Sequence, residues 1–118
     1  LILDRIAIGE KTMTFSLPWL AEHAGLSPPR EGRLIIMIDA AGDPAVLVRL
    51  TRVVPLAFGE VSEAHLAREG MPMRRVEAWK PLHEMVWNAK LSPLELTVDD
   101  DMPVWAEYFD VIHGASVS

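Results

Sequence analysis

The chain has 118 residues, half of them apolar and 24% charged, which is typical of one soluble globular domain with its own core. It contains no cysteine, which excludes disulfides and thiolate metal sites, and its net charge of −6 disfavours broad, non-specific binding to nucleic acid. There is neither an apolar run of membrane-spanning length nor a visible signal peptide. We therefore expect one cytoplasmic domain over residues 1–118 with no membrane partner. Because residue 1 is Leu, further natural residues are expected upstream.

The first third of the chain predicts a helix, a strand and a loop. Residues 1–8 have helical periodicity and end at Gly9, a residue suited to a helix stop. Residues 12–17 alternate polar and apolar side chains, which predicts a half-buried strand. Residues 18–30 are predicted to be a loop or a short helix, closed by two prolines.

A β-hairpin is predicted next. Residues 34–39 are a continuous apolar run, and residues 44–54 form a second strand-like run. The four residues between them include Gly42 and Asp43, which favour a turn. The segment Pro55 to Gly59 is expected to break the second strand.

Two helical segments are predicted in the second half. The first has Ser62 as its N-cap and ends at Gly70, so Glu69 falls in a last turn where the helix dipole disfavours a carboxylate. That placement is typical either of a solvated side chain or of a site residue. Residues 74–90 form the second helical stretch, within which Pro81 is expected to start a new segment because proline is costly in a helix interior.

The end of the chain predicts a loop and one more strand. Residues 91–102 form the loop, which ends in Asp99, Asp100 and Asp101. These aspartates lack the spaced ligands and the glycine of a calcium loop, so they indicate a solvated turn. Residues 103–112 have the composition of a strand.

Few residues remain as candidates for chemistry. The four histidines lack zinc-site spacing, and there is no glycine-rich phosphate loop or hydrolase elbow, so neither a metal nor a cofactor is expected. Lys11 and Thr14 lie at the mouth of the first strand, where a lysine beside a hydroxyl is either an activated amine near a nucleophile or a solvated side chain. In a regular strand Lys11 would point away from Thr14. The two converge only if Lys11 precedes the strand.

An aromatic stripe runs along the second predicted helix. Trp79, His83 and Trp87 follow one another at intervals of four residues. Such a stripe either stacks on a nucleic-acid base or forms the buried face of an amphipathic helix.

Four segments, taken in order, resemble the ASCH family, the activating-signal-cointegrator homology domains of PUA-like fold. Within this family the resemblance is to a bacterial branch with a G-x-K-T-x-T-x-S-L-x-W opening, and it runs from Gly9 to His113. The segments are GEKTMTFSLPW, GRLIIMIDAAGDPAVLVRLTRVVPLAFGEVSEAHLAREG, WKPLH and VDDDMPVWAEYFDVIH.

The resemblance implies an α+β, PUA-like fold: a β-barrel-type mixed sheet of five or six strands, with helices flanking a cleft. It also implies RNA binding, and some small bacterial members are amidohydrolases that remove the acyl group from N4-acylated cytidines with a Lys, a Thr and a Glu. Those residues fall on Lys11, Thr14 and Glu69. One member is described as a ribonuclease.

Ligand contacts are expected from Trp79, His83 and Ser16. Ser16 stands where the amidohydrolases have an arginine, and the segment Trp19-Leu20-Ala21 departs from the aromatic pattern of the ribonuclease.

Two functions are therefore predicted, with a nucleoside or a short RNA as the ligand. In the first, a hydrolase, Thr14 attacks the exocyclic amide carbonyl, a partly buried Lys11 takes the hydroxyl proton, and Glu69 holds Lys11 or passes a proton to the leaving amine. In the second, the cleft is a non-catalytic module that binds a nucleotide or an RNA end through Lys11 and nearby arginines. A domain with a degenerate cleft is a third alternative, and the sequence does not determine the oligomeric state.

Overall fold

The architecture follows from a computed structural model, which describes residues 2–114. The described part begins with a short helix and ends with a long strand, and most of the predicted elements are present. Two short 3₁₀ turns, Phe58–Glu60 and Ser92–Leu94, follow β3 and α3. The elements in chain order are α1 (Ile2–Ala7), β1 (Met13–Ser16), α2 (Pro18–His23), β2 (Leu34–Ile38), β3 (Pro44–Ala57), α3 (Val76–Leu91) and β4 (Pro103–Gly114).

One sheet organises these elements. Its four strands lie in the order β1-β4-β3-β2, and each neighbouring pair is antiparallel. The predicted mixed sheet of five or six strands is therefore not present in residues 2–114, and the sheet is not closed. The reason is the length of β3 and β4, which pair from Val46 opposite Gly114 to Ala57 opposite Pro103. Residues 44–57 and 103–114 thus form two long paired strands instead of a larger number of short ones.

The predicted hairpin of β2 and β3 is confirmed, but β3 does not stop at Pro55. It continues to Ala57, with Pro55 opposite Trp105 of β4. β2 pairs with β3 only as far as Arg49, so Pro55 lies where β3 has a strand neighbour on one side. A residue that lacks an N–H is tolerated at such a position.

The predicted helix from Ser62 to Gly70 is wrong, because this segment forms consecutive turns. The N–H and the hydroxyl of Ser62 both lie within hydrogen-bond distance of Nδ1 of His65, at 3.0 and 3.1 Å. The Glu69 N–H donates to Leu66, three residues back, at 3.0 Å. Glu69 therefore does not lie at a helix end, and the argument from the helix dipole does not apply to it.

The second helical stretch is confirmed as α3, but no new segment starts at Pro81. The helix is continuous, with Pro81 inside it. A proline there removes the hydrogen bond to the carbonyl of Glu77. Both residues are exposed, so water can take the place of the missing donor. In residues 2–114 no helix is long and apolar enough to cross a bilayer.

Two apolar clusters form the core. The smaller packs α1 against β3 and β4, around Ile6, Val48 and Phe109. The larger joins α3 to the 3₁₀ turn after β3 and to the start of β4, with Trp79 and Phe58 among its buried members. The larger cluster fixes the position of α3, one wall of the cleft described next.

Candidate functional site

Lys11 lies in the bend between α1 and β1. Gly9 opens this bend with a positive φ of 81°, a backbone conformation that glycine adopts without strain. The Lys11 N–H donates to the carbonyl of Arg5 at 3.2 Å, and β1 begins only at Met13. Lys11 is therefore outside the alternation of the strand, as convergence with Thr14 requires.

The side chain of Lys11 pairs with Glu69. Its Nζ donates to Oε1 of Glu69, and the two side chains are 13% and 3% exposed. The N–H of Gly70 donates to the same carboxylate oxygen at 3.2 Å. This is a nearly buried ion pair with one additional backbone donor, and such a pair holds both side chains in one geometry.

The loop that carries Glu69 is fixed on both sides. On one side the Thr12 N–H donates to the carbonyl of Arg68 at 2.9 Å, which places the loop beside β1. On the other, Arg74 donates from Nε to the Glu69 carbonyl at 2.6 Å and from its terminal nitrogen to the Glu10 carbonyl at 3.2 Å. Arg74 thus ties the loop to the bend that carries Lys11.

Lys11, Glu69 and Thr14 line one cleft of about 550 Å³ between α1, β1 and α3. No hydrogen bond joins Lys11 to Thr14 within residues 2–114, so the three residues share a cleft without forming a closed hydrogen-bonded triad. The other lining residues are Ile2, Arg5, Phe15, Gly70, Met73, Leu82, His83, Val86, Trp87 and Lys90.

His83 contributes a ring to this cleft. It stacks on Trp79 with the ring centroids 4.4 Å apart, and its Nδ1 lies 2.8 Å from the Trp79 carbonyl. Burial lowers the pKa of His83 from its ordinary value. The hydrogen bond to Trp79 and the charge of Glu69 oppose that shift, and the charge of Lys11 adds to it. These influences place His83 in the electrostatic field of the Lys11–Glu69 pair.

Trp79, expected to contact a ligand, is a core residue in this structure. Its side chain is 0% exposed and lies between Phe15 and Phe58, at centroid distances of 4.7 and 5.7 Å. Its indole Nε1 has no hydrogen-bond partner in the described part of the chain. The aromatic rings that reach the cleft are those of Phe15, His83 and Trp87.

Ser16 also lies elsewhere than expected. It shares a face of β1 with Thr14 by alternation, but it does not line the cleft, and its hydroxyl donates to Oε2 of Glu107. Glu107 is 8% exposed and pairs with Thr14 across the ladder. Burial raises the pKa of this carboxyl, against the hydrogen bond from Ser16 and the charge of Arg33.

Sequence reasoning missed three charged residues at or beside the site. Arg5 and Lys90 line the cleft, and the carboxyl of Glu107 is buried next to Thr14. The local sequence does not single out Arg5 or Lys90 as site residues, because each occupies a helical position that is typical of the solvent-exposed face. Glu107 did leave a signal, since an acidic residue inside the apolar run of β4 breaks the pattern of a core strand.

Within residues 2–114 there is no group of three or more histidine, cysteine, aspartate or glutamate side chains that could hold a metal ion. The aspartates 99–101 form a turn, in which Oδ1 of Asp99 accepts the N–H of Asp101 at 2.8 Å. The carbonyl of Asp99 accepts the N–H of Met102 at 3.1 Å.

Fold and site together define a class of protein: an α+β domain whose open antiparallel sheet has a cleft at the β1 edge with a lysine–glutamate pair inside. The sequence matches the family model of the ASCH domain over residues 1–113, so the chain belongs to the ASCH family, which is associated with RNA binding. Recognition of the ASCH family from the sequence is thereby confirmed.

Solved structures similar to the chain include the following two. One is the crystal structure of an ASCH domain from Lactobacillus crispatus JV V101, with a TM-score of 0.84 and 26% identity over 93% of this chain and 69% of that one. The other is protein EF3133 from Enterococcus faecalis V583, with a TM-score of 0.82 and 25% identity over 93% and 66%. The chain thus spans about two thirds of each. No curated protein sequence matches it significantly.

Proposed function

We propose that the cleft binds a nucleoside-like ligand and that the domain hydrolyses the N4-acyl amide of cytidine-like compounds. The observation that carries this proposal is the nearly buried Lys11–Glu69 pair in the same cleft as the Thr14 hydroxyl. A base, a nucleophile and a carboxylate that converge on one concave surface are the parts that acyl transfer requires.

The cleft suits a ligand of this size and chemistry. Its volume of about 550 Å³ lies within the range of small-molecule sites, and its walls are largely apolar with a few polar groups among them. The rings of Phe15, His83 and Trp87 provide surfaces on which a pyrimidine can stack. Lys11 and Thr14 then face the exocyclic acyl group.

The reaction is an acyl transfer in two steps. Thr14 Oγ1 attacks the acyl carbonyl carbon while its proton passes to Lys11 Nζ, which in the same step gives a proton to the Glu69 carboxylate. The C–N bond then breaks, the cytosine amine takes a proton back from Lys11, and the acyl group remains as an ester on Thr14. Water gives a proton to Lys11 as it attacks the ester carbonyl, and Lys11 passes a proton to the departing Thr14 oxygen, which restores the hydroxyl. The products are the free nucleoside and a carboxylic acid.

The substrate contacts differ from those of the amidohydrolases that the sequence resembles. Ser16 occupies the position of their arginine and is engaged with Glu107. Arg5 and Lys90 are the cations at the cleft that remain to orient a ribose or a phosphate. We therefore expect the preferred acyl group or the 5′ substituent to differ from that of arginine-containing members.

The test is release of cytidine from N4-acetylcytidine, followed by chromatography. Thr14→Val and Lys11→Ala should each reduce kcat by at least about 100-fold, because each removes a reacting group. Thr97→Val and Lys80→Ala are matched controls outside the cleft and should retain wild-type turnover. Wild-type turnover no greater than that of Lys11→Ala would exclude the hydrolase.

A second function has its own supporting observation. Three cations, Arg5, Lys11 and Lys90, line the cleft against one carboxylate, Glu69, although the whole chain is acidic. This local excess favours an anionic ligand such as a nucleotide or an RNA end. Binding of a short RNA should then weaken with salt by the release of about three counterions and should survive Thr14→Val. Cleavage of that RNA in the same mixture would instead indicate a ribonuclease.

A further inference from the structure

β2 is a free edge of the sheet. In the order β1-β4-β3-β2 it has a strand neighbour on one side only, so a row of its backbone N–H and C=O groups has no strand partner within residues 2–114. Natural sheets protect such edges with charges, proline or a bulge. The strand sequence LIIMI has neither charge nor proline, and the irregularity in its ladder places the extra residue in β3.

One face of this edge strand is apolar and open. Leu34, Ile36 and Ile38 are 52%, 60% and 59% exposed. The alternating residues Ile35 and Met37 point to the other face, where they pack against the smaller core cluster. A row of three exposed aliphatic side chains along an unprotected edge is a surface that proteins usually cover.

The sequence around Ile36 is self-complementary for antiparallel pairing. When Ile36 of one copy lies opposite Ile36 of another, Leu34 lies opposite Ile38, and this pair occurs twice. One residue beyond the strand, Arg33 then lies opposite Asp39 of the second copy, and this pair also occurs twice. Arg33 is exposed and has no partner within ion-pair distance in the described part of the chain.

The carboxylate of Asp39 is held in place by two backbone hydrogen bonds. Its Oδ1 accepts the N–H groups of Ala41 and Asp43 at 2.9 and 3.0 Å, which holds the carboxylate at the end of β2. The other carboxylate oxygen of Asp39, Oδ2, accepts no hydrogen bond within residues 2–114. A register shift of two residues would separate Arg33 from Asp39 and leave an aliphatic side chain without its counterpart.

We propose that the chain associates with a second copy of itself through β2, in an antiparallel pairing centred on Ile36 that joins the four strands of each copy into one continuous sheet. A two-fold axis through the Ile36 pair makes the contact closed, so association stops at the dimer. The Arg33–Asp39 contacts set the register, and the aliphatic row supplies the buried apolar area.

The mass in solution tests the association. Analytical ultracentrifugation should show a wild-type dimer that dissociates on dilution. Ile36→Lys places two like charges opposite each other and should raise the dissociation constant more than about tenfold. Met85→Lys, at a 65% exposed position on α3, is the matched control and should behave as wild type. A wild type that stays monomeric or assembles beyond the dimer would overturn the proposal, as would a dimeric Ile36→Lys variant.

Cross-linking tests the register independently of folding defects. The chain contains no cysteine, so each single variant carries one thiol. Residues directly opposite in an antiparallel pair have Cα atoms about 4.5–5.5 Å apart, which suits a disulfide. Ile36→Cys should therefore cross-link with itself on mild oxidation. Leu34→Cys should not, because its own counterpart lies about 13 Å away.

A mixture of the Leu34→Cys variant with a third single variant, Ile38→Cys, completes that test. Leu34→Cys should cross-link with Ile38→Cys, since these positions face each other in the proposed register. Equal self-cross-linking of Leu34→Cys and Ile36→Cys would show random collision and would overturn the pairing.

Discussion

Lys11 Nζ donates to Glu69 Oε1 across 58 residues of chain, and this contact joins the bend before β1 to the turns that follow β3. Both side chains are nearly buried, and each belongs to a segment without regular secondary structure. The pair therefore lines the cleft and also adds a side-chain contact to the backbone hydrogen bonds and the Arg74 contacts that join the two segments.

The first prediction concerns the energy of that pair. Glu69→Gln leaves the Lys11 amine without a carboxylate in a nearly buried position, so the free energy of unfolding should fall by about 2–4 kcal/mol. Urea denaturation followed by tryptophan fluorescence measures this change. Glu77→Gln is the matched control, because Glu77 pairs with Arg75 at 2.7 Å but both side chains are exposed. Its effect should stay below about 0.5 kcal/mol, and equal effects of the two changes would contradict the prediction.

The second prediction concerns pH and His83. Burial lowers its pKa in the folded state below the ordinary value of 6.5. Between these two values the unfolded chain binds more protons, so stability falls as the pH drops below about 6.5. His83→Gln should flatten this part of the profile, whereas His23→Gln, at an exposed position, should not. The measurement is the free energy of unfolding across this pH range, and an unchanged slope in His83→Gln would refute the assignment.

The third prediction distinguishes the role of Trp79 in the core from that of Trp87 in the wall of the cleft. Trp79→Phe should lower the free energy of unfolding by about 1–3 kcal/mol, because it leaves a gap beside Phe58 and His83. The same change relieves an unpaired indole N–H, which reduces the loss. The affinity for N4-acetylcytidine should change by less than about twofold, because Trp79 does not line the cleft. Trp87→Phe, a change in the cleft wall, is the comparison and should weaken binding more.

The fourth prediction concerns the buried Glu107 carboxyl. Burial raises its pKa above 4.5, so its stabilising contribution is complete below that value and is lost as the pH rises through the folded-state pKa. The hydroxyl of Ser16 donates to this carboxyl and opposes the rise in its pKa. Ser16→Ala should therefore raise this pKa further and cost about 1.5–3 kcal/mol at neutral pH.

At acidic pH the cost of Ser16→Ala should be smaller, because a protonated Glu107 depends less on that donor. Ser27→Ala, at an exposed loop position, provides the control. Carboxyl titration by NMR together with unfolding at two pH values distinguishes the outcomes. A cost of Ser16→Ala that does not depend on pH would contradict the prediction.

Local patterns were enough to predict most elements of this fold. The hairpin of β2 and β3, the helix α1 and the strand β4 follow from periodicity and turn composition. The segment after Ser62 was mispredicted because the capping hydroxyl contacts the His65 ring instead of opening a helix. The local pattern predicted the four strands that the sheet contains, whereas the count of five or six strands came from the family resemblance.

The site was partly accessible from the sequence. Lys11, Thr14 and Glu69 do line one cleft. Glu69 does not lie at the end of a helix, the position predicted from the sequence, and what distinguishes it is burial against Lys11. Trp79 and His83 belong to the same stripe, yet one is buried and the other reaches the cleft. Helical spacing fixes a shared face but not the depth of each ring, which depends on the neighbouring elements.

The strand order has a consequence for synthesis of the protein in the cell. β1 has β4 as its strand neighbour, and Met13 lies opposite Tyr108. A ribosome that adds 5–20 residues per second needs about 5–19 s between these two positions. Until β4 emerges, β1 has no strand to pair with, and the wall of the cleft that carries Thr14 cannot form. The nascent chain therefore remains without this wall of its site until β4 has been synthesised.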